Sequence, residues 1–189
     1  MVKSKTSRVY KIFVASASDC EELRKETSRV VADLNKMYAD TDVTLQLYEW
    51  EEKKKAEFIR KGERYQDKIF GEFGSVCDIF IIFFWTKLGV GTVEEYEYFK
   101  SHFIINNKNI KFLGFHYNKP MTHSVLEKHG TYYKLLEFLE KNDEDWSPLG
   151  RERRAIKNKS EYATELQTAI GSYLLEQEGG SGRGKKKSI

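Results

Sequence analysis

Cysteine is scarce in this chain. Only Cys20 and Cys77 occur among 189 residues, and each lies in or beside a stretch that reads as buried. Two thiols so placed point to reduced side chains in a cytoplasmic protein and away from a disulfide framework. The opening Met1-Val2-Lys3-Ser4-Lys5 lacks the apolar core of a secretory leader. Long apolar runs are missing as well. The longest, Ile79 to Trp85, is far short of the roughly 20 residues that cross a bilayer. No membrane partner is expected. Nor does one sign of charge dominate: 32 Lys and Arg against 29 Asp and Glu leave a net +3. Part of that excess sits in the terminal arms, so no nucleic-acid partner is expected.

Several chemical motifs are absent. The turn after the first apolar stretch is Ser16-Ala17-Ser18-Asp19, with neither G-x-G-x-x-G nor G-x-x-x-x-G-K-[ST]. This excludes the usual dinucleotide and P-loop cradles. Asp19 also disfavours a close phosphate, so a sugar hydroxyl or an amide suits Ser16, Ser18 and Asp19 better. Helix capping explains the same residues with about equal weight, since Ser18-x-x-Glu21 has capping-box spacing. His102, His116, His123 and His129 show no metal-ligand spacing. No G-x-S-x-G elbow exists, and Cys20 falls inside a helical first turn.

What remains is an alternation of apolar strands and amphipathic helices. Strands are expected at 10–15, 43–48, 76–85 and 110–115, with a weak fifth at 153–157. Helices are expected from about 18 to 38, 64 to 73, 92 to 103, 132 to 141 and 162 to 177. A Lys/Glu-rich excursion fills 52–63. Residues 1–8 read as a loose basic arm, 9–178 as one domain, and 179–189 as a flexible basic tail or linker. The order implies an α/β fold, a doubly wound parallel sheet of about five strands in the order 2-1-3-4-5, with helices on both faces.

The segment 76–103 is the most informative. Ile79 to Trp85 has no polar alternation, as in a strand covered on both faces. A loop with Gly89 and Gly91 follows, then Thr92 and the pair Glu94 and Glu95. Ligands of such sheets bind outside the carboxyl ends of the strands, which is where this corner falls. Two readings stand side by side. Thr92 with Glu95 forms a capping box at the helix start. Alternatively, a carboxylate beside a ribose binds its hydroxyls and stabilises positive charge at the anomeric carbon, with Phe83, Phe84 and Trp85 walling a planar ring.

The run from Tyr10 to Arg24 resembles the opening "vFvSS...D...eR" of bacterial TIR-like domains. Gln66-x-x-Ile69, Cys77 to Ile81, Trp85 to Gly89 and Gly91-Thr92-x-Glu94-Glu95-Tyr96 are similar to the rest of that pattern. The resemblance covers roughly residues 9–175 and is to the Toll/interleukin-1 receptor superfamily, among the bacterial TIR-like domains of defence and signalling proteins. It implies a flavodoxin-like fold and cleavage of the nicotinamide–ribose bond of NAD+, with NAD+ as substrate and no cofactor. It implies Glu95, ahead of the aromatic Tyr96, as the catalytic acid, with Glu94 in reserve. Ser16, Ser18, Asp19, Trp50, Arg64, Phe84, Trp85 and Thr92 become the expected substrate contacts. Self-association is expected, driven by a C-terminal sensor domain. The alternatives are a non-catalytic TIR-like assembly module and a nucleoside deoxyribosyltransferase-like enzyme.

Overall fold

The computed structural model describes residues 8–48, 70–71, 76–106, 110–118, 132–142 and 152–182. Five strands, β1 (Arg8–Ser16), β2 (Val43–Tyr48), β3 (Ile79–Phe84), β4 (Lys111–Tyr117) and β5 (Glu152–Ile156), form one sheet. Its order is β2-β1-β3-β4-β5, and every pairing is parallel. Among the described residues the helices that accompany it at full length are α1 (Glu21–Met37), α2 (Val90–Asn106), α3 (Tyr132–Lys141) and α4 (Lys159–Gly182). The expected sheet order and the two-sided covering are both observed.

The period of two along each central strand divides the core. Ile12, Val14, Ile79, Ile81 and Phe83 face one way, packing with Leu23 and Leu34 of α1 and with Tyr162, Leu166 and Ile170 of α4. Phe13, Ala15, Phe80, Ile82 and Phe84 face the other way, packing with Tyr96 and Phe99 of α2 and with Leu135 and Leu139 of α3. All six residues of β3 are buried, as its unbroken apolar sequence requires. The edge strand β2 alternates instead: Val43 and Leu45 are buried while Thr44 and Gln46 are exposed. Its outer backbone is not left bare. The Asn35 carboxamide donates to the Leu45 carbonyl at 2.9 Å and accepts from the Leu45 amide at 2.8 Å.

At the amino edge of the sheet, the Asp78 carboxylate accepts from the Lys11 amide at 2.8 Å, and the Lys111 amide donates to the Asp78 carbonyl at 2.9 Å. This seats the start of β3 between its two neighbours. Burial, with the Asp78 charge adding to it, pushes the nearby Tyr173 phenol well above its ordinary pKa.

Three local expectations change. First, Ser18 does not cap α1. Residues Ser18–Cys20 form a turn of 3₁₀ helix, α1 begins at Glu21, and neither start has a side-chain cap. Asp19 and the backbone are engaged elsewhere, as described below. Second, α2 begins at Val90 rather than Thr92, with the Val93 amide donating to the Gly89 carbonyl at 3.0 Å. Third, α4 runs to Gly182, past the expected end near Gln177. Among the described residues no helix is long and apolar enough to cross a membrane. Of the helix expected at 64–73, Phe70 and Gly71 are described and helical. The excursion at 52–63 and the tail from 183 lie outside the described residues, as do Trp50 and Arg64.

Candidate active site at the carboxyl edge of the sheet

Parallel pairing brings the carboxyl ends of β1, β3 and β4 together. Ser16 lies opposite Phe83, and Phe84 lies opposite His116. The turn after β1 and the loop after β3 therefore meet above the sheet. A Cβ added to Gly89 would stand 3.0 Å from Thr92 Oγ1 and 3.6 Å from the Ala17 Cβ. A side chain there would crowd the Thr92 hydroxyl, while its distance from Ala17 would be ordinary contact. Gly89 thus stands between the turn carrying Ser16, Ser18 and Asp19 and the start of α2, which carries Thr92, Glu94 and Glu95.

Hydrogen bonds tighten the same junction. One Asp19 oxygen, Oδ2, accepts from the Thr86 amide at 2.9 Å, the Thr86 hydroxyl at 2.8 Å and the Lys87 amide at 3.1 Å. Across the turn, an Arg24 amino nitrogen donates to Ser16 Oγ at 2.6 Å and to the Ala17 carbonyl at 2.9 Å. Ser16 and Asp19 are thus held by protein groups, while Ser18 is exposed. Cys20 is 1% exposed, and burial pushes its thiol well up, with the Asp19 charge adding. A neutral buried thiol is a poor nucleophile.

The helix start removes the capping-box reading of Glu95. A capping box needs Thr92 outside the helix with its side chain on the third residue beyond. Here Thr92 is the third residue of α2 and Glu95 the sixth. Neither stands at a cap. Instead Thr92, Glu95, Tyr96 and Phe99 follow the helical period on the face that packs onto the sheet, and all four are buried. Glu95 is 8% exposed; Glu94, one position round the helix, is half-buried. Carboxylates are among the side chains least often buried, because the charged form loses its hydration.

The aromatic residues divide. Phe84 is buried, 5.8 Å from the Phe138 ring. Trp85 is half-buried and packs 5.9 Å from Tyr117. Of the expected site residues, Ser16, Ser18, Asp19, Phe84, Trp85, Thr92, Glu94 and Glu95 all belong to this edge. Arg24 and Lys87 were given no site role by the sequence and Thr86 only a place at the expected ligand corner, yet all three build the junction. Their signal is weak: a surface-type Arg one turn into a helix and a Thr-Lys pair in a loop have no periodicity that links them across the fold. Among the described residues no group of three or more His, Cys, Asp or Glu is placed to hold a metal ion.

No family model matches the chain, and no curated protein matches it. A solved structure that it is similar to is the CMP N-glycosidase BcmB of Clostridium botulinum. The match has 14% identity and a TM-score of 0.41, covering 84% of this chain and 98% of that one.

Proposed function

We propose that this chain cleaves the N-glycosidic bond of NAD+, with Glu95 as the carboxylate that acts on the nicotinamide ribose. The observation that carries the reading is the placement of Glu95. It is buried on the sheet-facing side of α2, beside the carboxyl edge, and it is not a capping residue. The resemblance to TIR-like domains supplies the substrate.

In this reading the bond between the anomeric carbon and the nicotinamide nitrogen breaks heterolytically. The electron pair leaves with the base, which departs as neutral nicotinamide, so no general acid is needed. The ribosyl group takes on oxocarbenium character, and the Glu95 carboxylate stabilises it while binding the ribose hydroxyls. Water, or an adenine nitrogen of the same molecule, then bonds to the anomeric carbon and the attacking group gives up one proton to solvent. Trp85, half-buried and at the strand end, stacks on a ring of the substrate. Ser18, exposed in the turn after β1, meets its polar groups. Self-association of the domain, driven by a neighbouring sensor, completes the site.

The test is nicotinamide release from NAD+ by concentrated protein, with and without forced clustering. Release that is lost in Glu95→Gln supports the reading. No release under either condition overturns it in favour of a non-catalytic assembly module. Release that survives Glu95→Gln and is lost in Glu94→Gln transfers the role to Glu94. Base exchange on deoxynucleosides with NAD+ left intact indicates a deoxyribosyltransferase instead.

A further inference from the structure

Asp19 occupies the carboxyl edge, where a carboxylate could serve the substrate directly. Its contacts point elsewhere. Three donors converge on Oδ2, two of them backbone amides of consecutive residues, Thr86 and Lys87. A single carboxylate oxygen has about two lone pairs, so this one is fully committed. Thr86 is fully buried, and its hydroxyl points at the same oxygen. Asp19 and Thr86 are 67 positions apart, and the five residues Trp85–Gly89 that join β3 to α2 lie in neither strand nor helix. Charge-assisted bonds to such a loop fix a segment that would otherwise gain conformational entropy. Arg24 braces the opposite side by holding Ser16 and Ala17, and Gly89 fits against Ala17.

We propose that Asp19 is a positioning residue. Its carboxylate clamps the loop after β3 to the turn after β1 and so sets where α2 begins. Glu95, nine residues beyond Thr86, is thereby held at the sheet edge. The catalytic consequence rests on Glu95 being the reacting carboxylate; the clamp does not.

The experiment compares Asp19→Ala, Asp19→Asn and Thr86→Val with the unaltered chain. It reads amide hydrogen exchange at Thr86 and Lys87 together with the kinetics of nicotinamide release from NAD+. In Asp19→Ala both amides are expected to exchange at least about tenfold faster, the loss of a charged acceptor. kcat falls up to about 100-fold, the effect of a misplaced reacting group, while KM stays within about threefold. Asp19→Asn keeps an acceptor oxygen in place and retains most of kcat. Thr86→Val removes one donor from the other side, giving a smaller change of the same kind even where Asp19→Ala does not fold. Unchanged exchange at Thr86 and Lys87 overturns the clamp. So does a rise in KM alone, equal in Asp19→Ala and Asp19→Asn, which marks a direct substrate ligand. If the unaltered chain releases no nicotinamide, the NAD+ reading fails by itself. Exchange then decides the clamp: faster exchange supports it, and unchanged exchange overturns it.

Discussion

The two faces of the sheet are built from different materials. Towards α1 and α4 the described core is mostly aliphatic, with Ile12, Val14, Ile79, Ile81, Leu113 and Ile156 under Leu23, Leu34, Leu166 and Ile170. A polar pair of side chains is embedded in it. Thr27 Oγ1 donates to the Leu23 carbonyl at 2.8 Å and lies 2.6 Å from the Tyr162 hydroxyl, so the tyrosine donates to it. Towards α2 and α3 the core is aromatic. Phe80 stacks on Phe99 at 4.4 Å and lies 4.6 Å from Phe112, while Tyr96 meets Phe112 and Phe138 edge-on. At its carboxyl end the aliphatic face takes the packing of Trp85. The aromatic face includes a buried carboxylate at its carboxyl end. Glu95 thus belongs to the aromatic face and Trp85 to the aliphatic one.

The largest expected effect separates them by activity. Glu95→Gln should lower nicotinamide release about 10²- to 10³-fold, the range for removing one group that stabilises developing charge. Its Tm should change little, because glutamine keeps the volume and a hydrogen-bonding side chain. A large Tm loss at unchanged turnover would make Glu95 a scaffold residue like those of the other face.

Next comes packing. Phe80 is fully buried among Phe13, Phe99 and Phe112. Phe80→Ala should cost about 3–5 kcal/mol, and Ile81→Val on the opposite face about 0.5–1.5 kcal/mol, both measured by denaturant unfolding. Equal costs would mean that the aromatic face relaxes around the cavity and is the looser of the two.

Smaller again is Thr27→Val. The valine keeps the volume and removes the acceptor for the buried Tyr162 hydroxyl. A loss of about 1–3 kcal/mol is expected, with nicotinamide release unchanged. An altered turnover would show that the aliphatic face communicates with the site.

The smallest effect is on the outer surface of α1. The Glu21 carboxyl is held below its ordinary pKa by its bond to Lys25, and the Asp33 carboxyl by its bond to Lys36. A carboxyl with a depressed folded-state pKa adds stability above its unfolded pKa and loses it as pH falls through the folded value. Stability should therefore decline slightly on acidification below about pH 4, and more shallowly in high salt. These groups are solvent-exposed, so Lys25→Ala should shift Tm by no more than the error of a thermal melt.

Much of this architecture was readable from residue order. The β2 strand and α3 fall where their patterns place them, because alternation and helical spacing report burial directly. The six consecutive apolar residues of β3 announced a strand covered on both sides. The helix starts were less readable. Ser18 and Thr92 both have cap spacing, yet neither start at Ser18 or Glu21 has a side-chain cap and Thr92 lies inside α2, while the turn after β1 and the loop after β3 are tied to each other. Part of the expected site also stands differently from its sequence. Phe84 is as aromatic as Trp85 but is buried against Phe138, since its place in the strand aims it into the core.

The sequence by itself determined the strands, the parallel sheet and its order, and the corner where Glu94 and Glu95 stand. Hydrophobic period and chain connectivity are local properties, and the handedness of crossovers follows from them. Only the tertiary structure decided how those residues are held. It moved the start of α2 to Val90 and turned Glu95 onto the buried face. It also spent the Asp19 charge on Thr86 and Lys87. Each outcome depends on groups distant along the chain meeting at one edge, and a hydrogen bond across 67 residues leaves no periodic trace in either partner's neighbourhood.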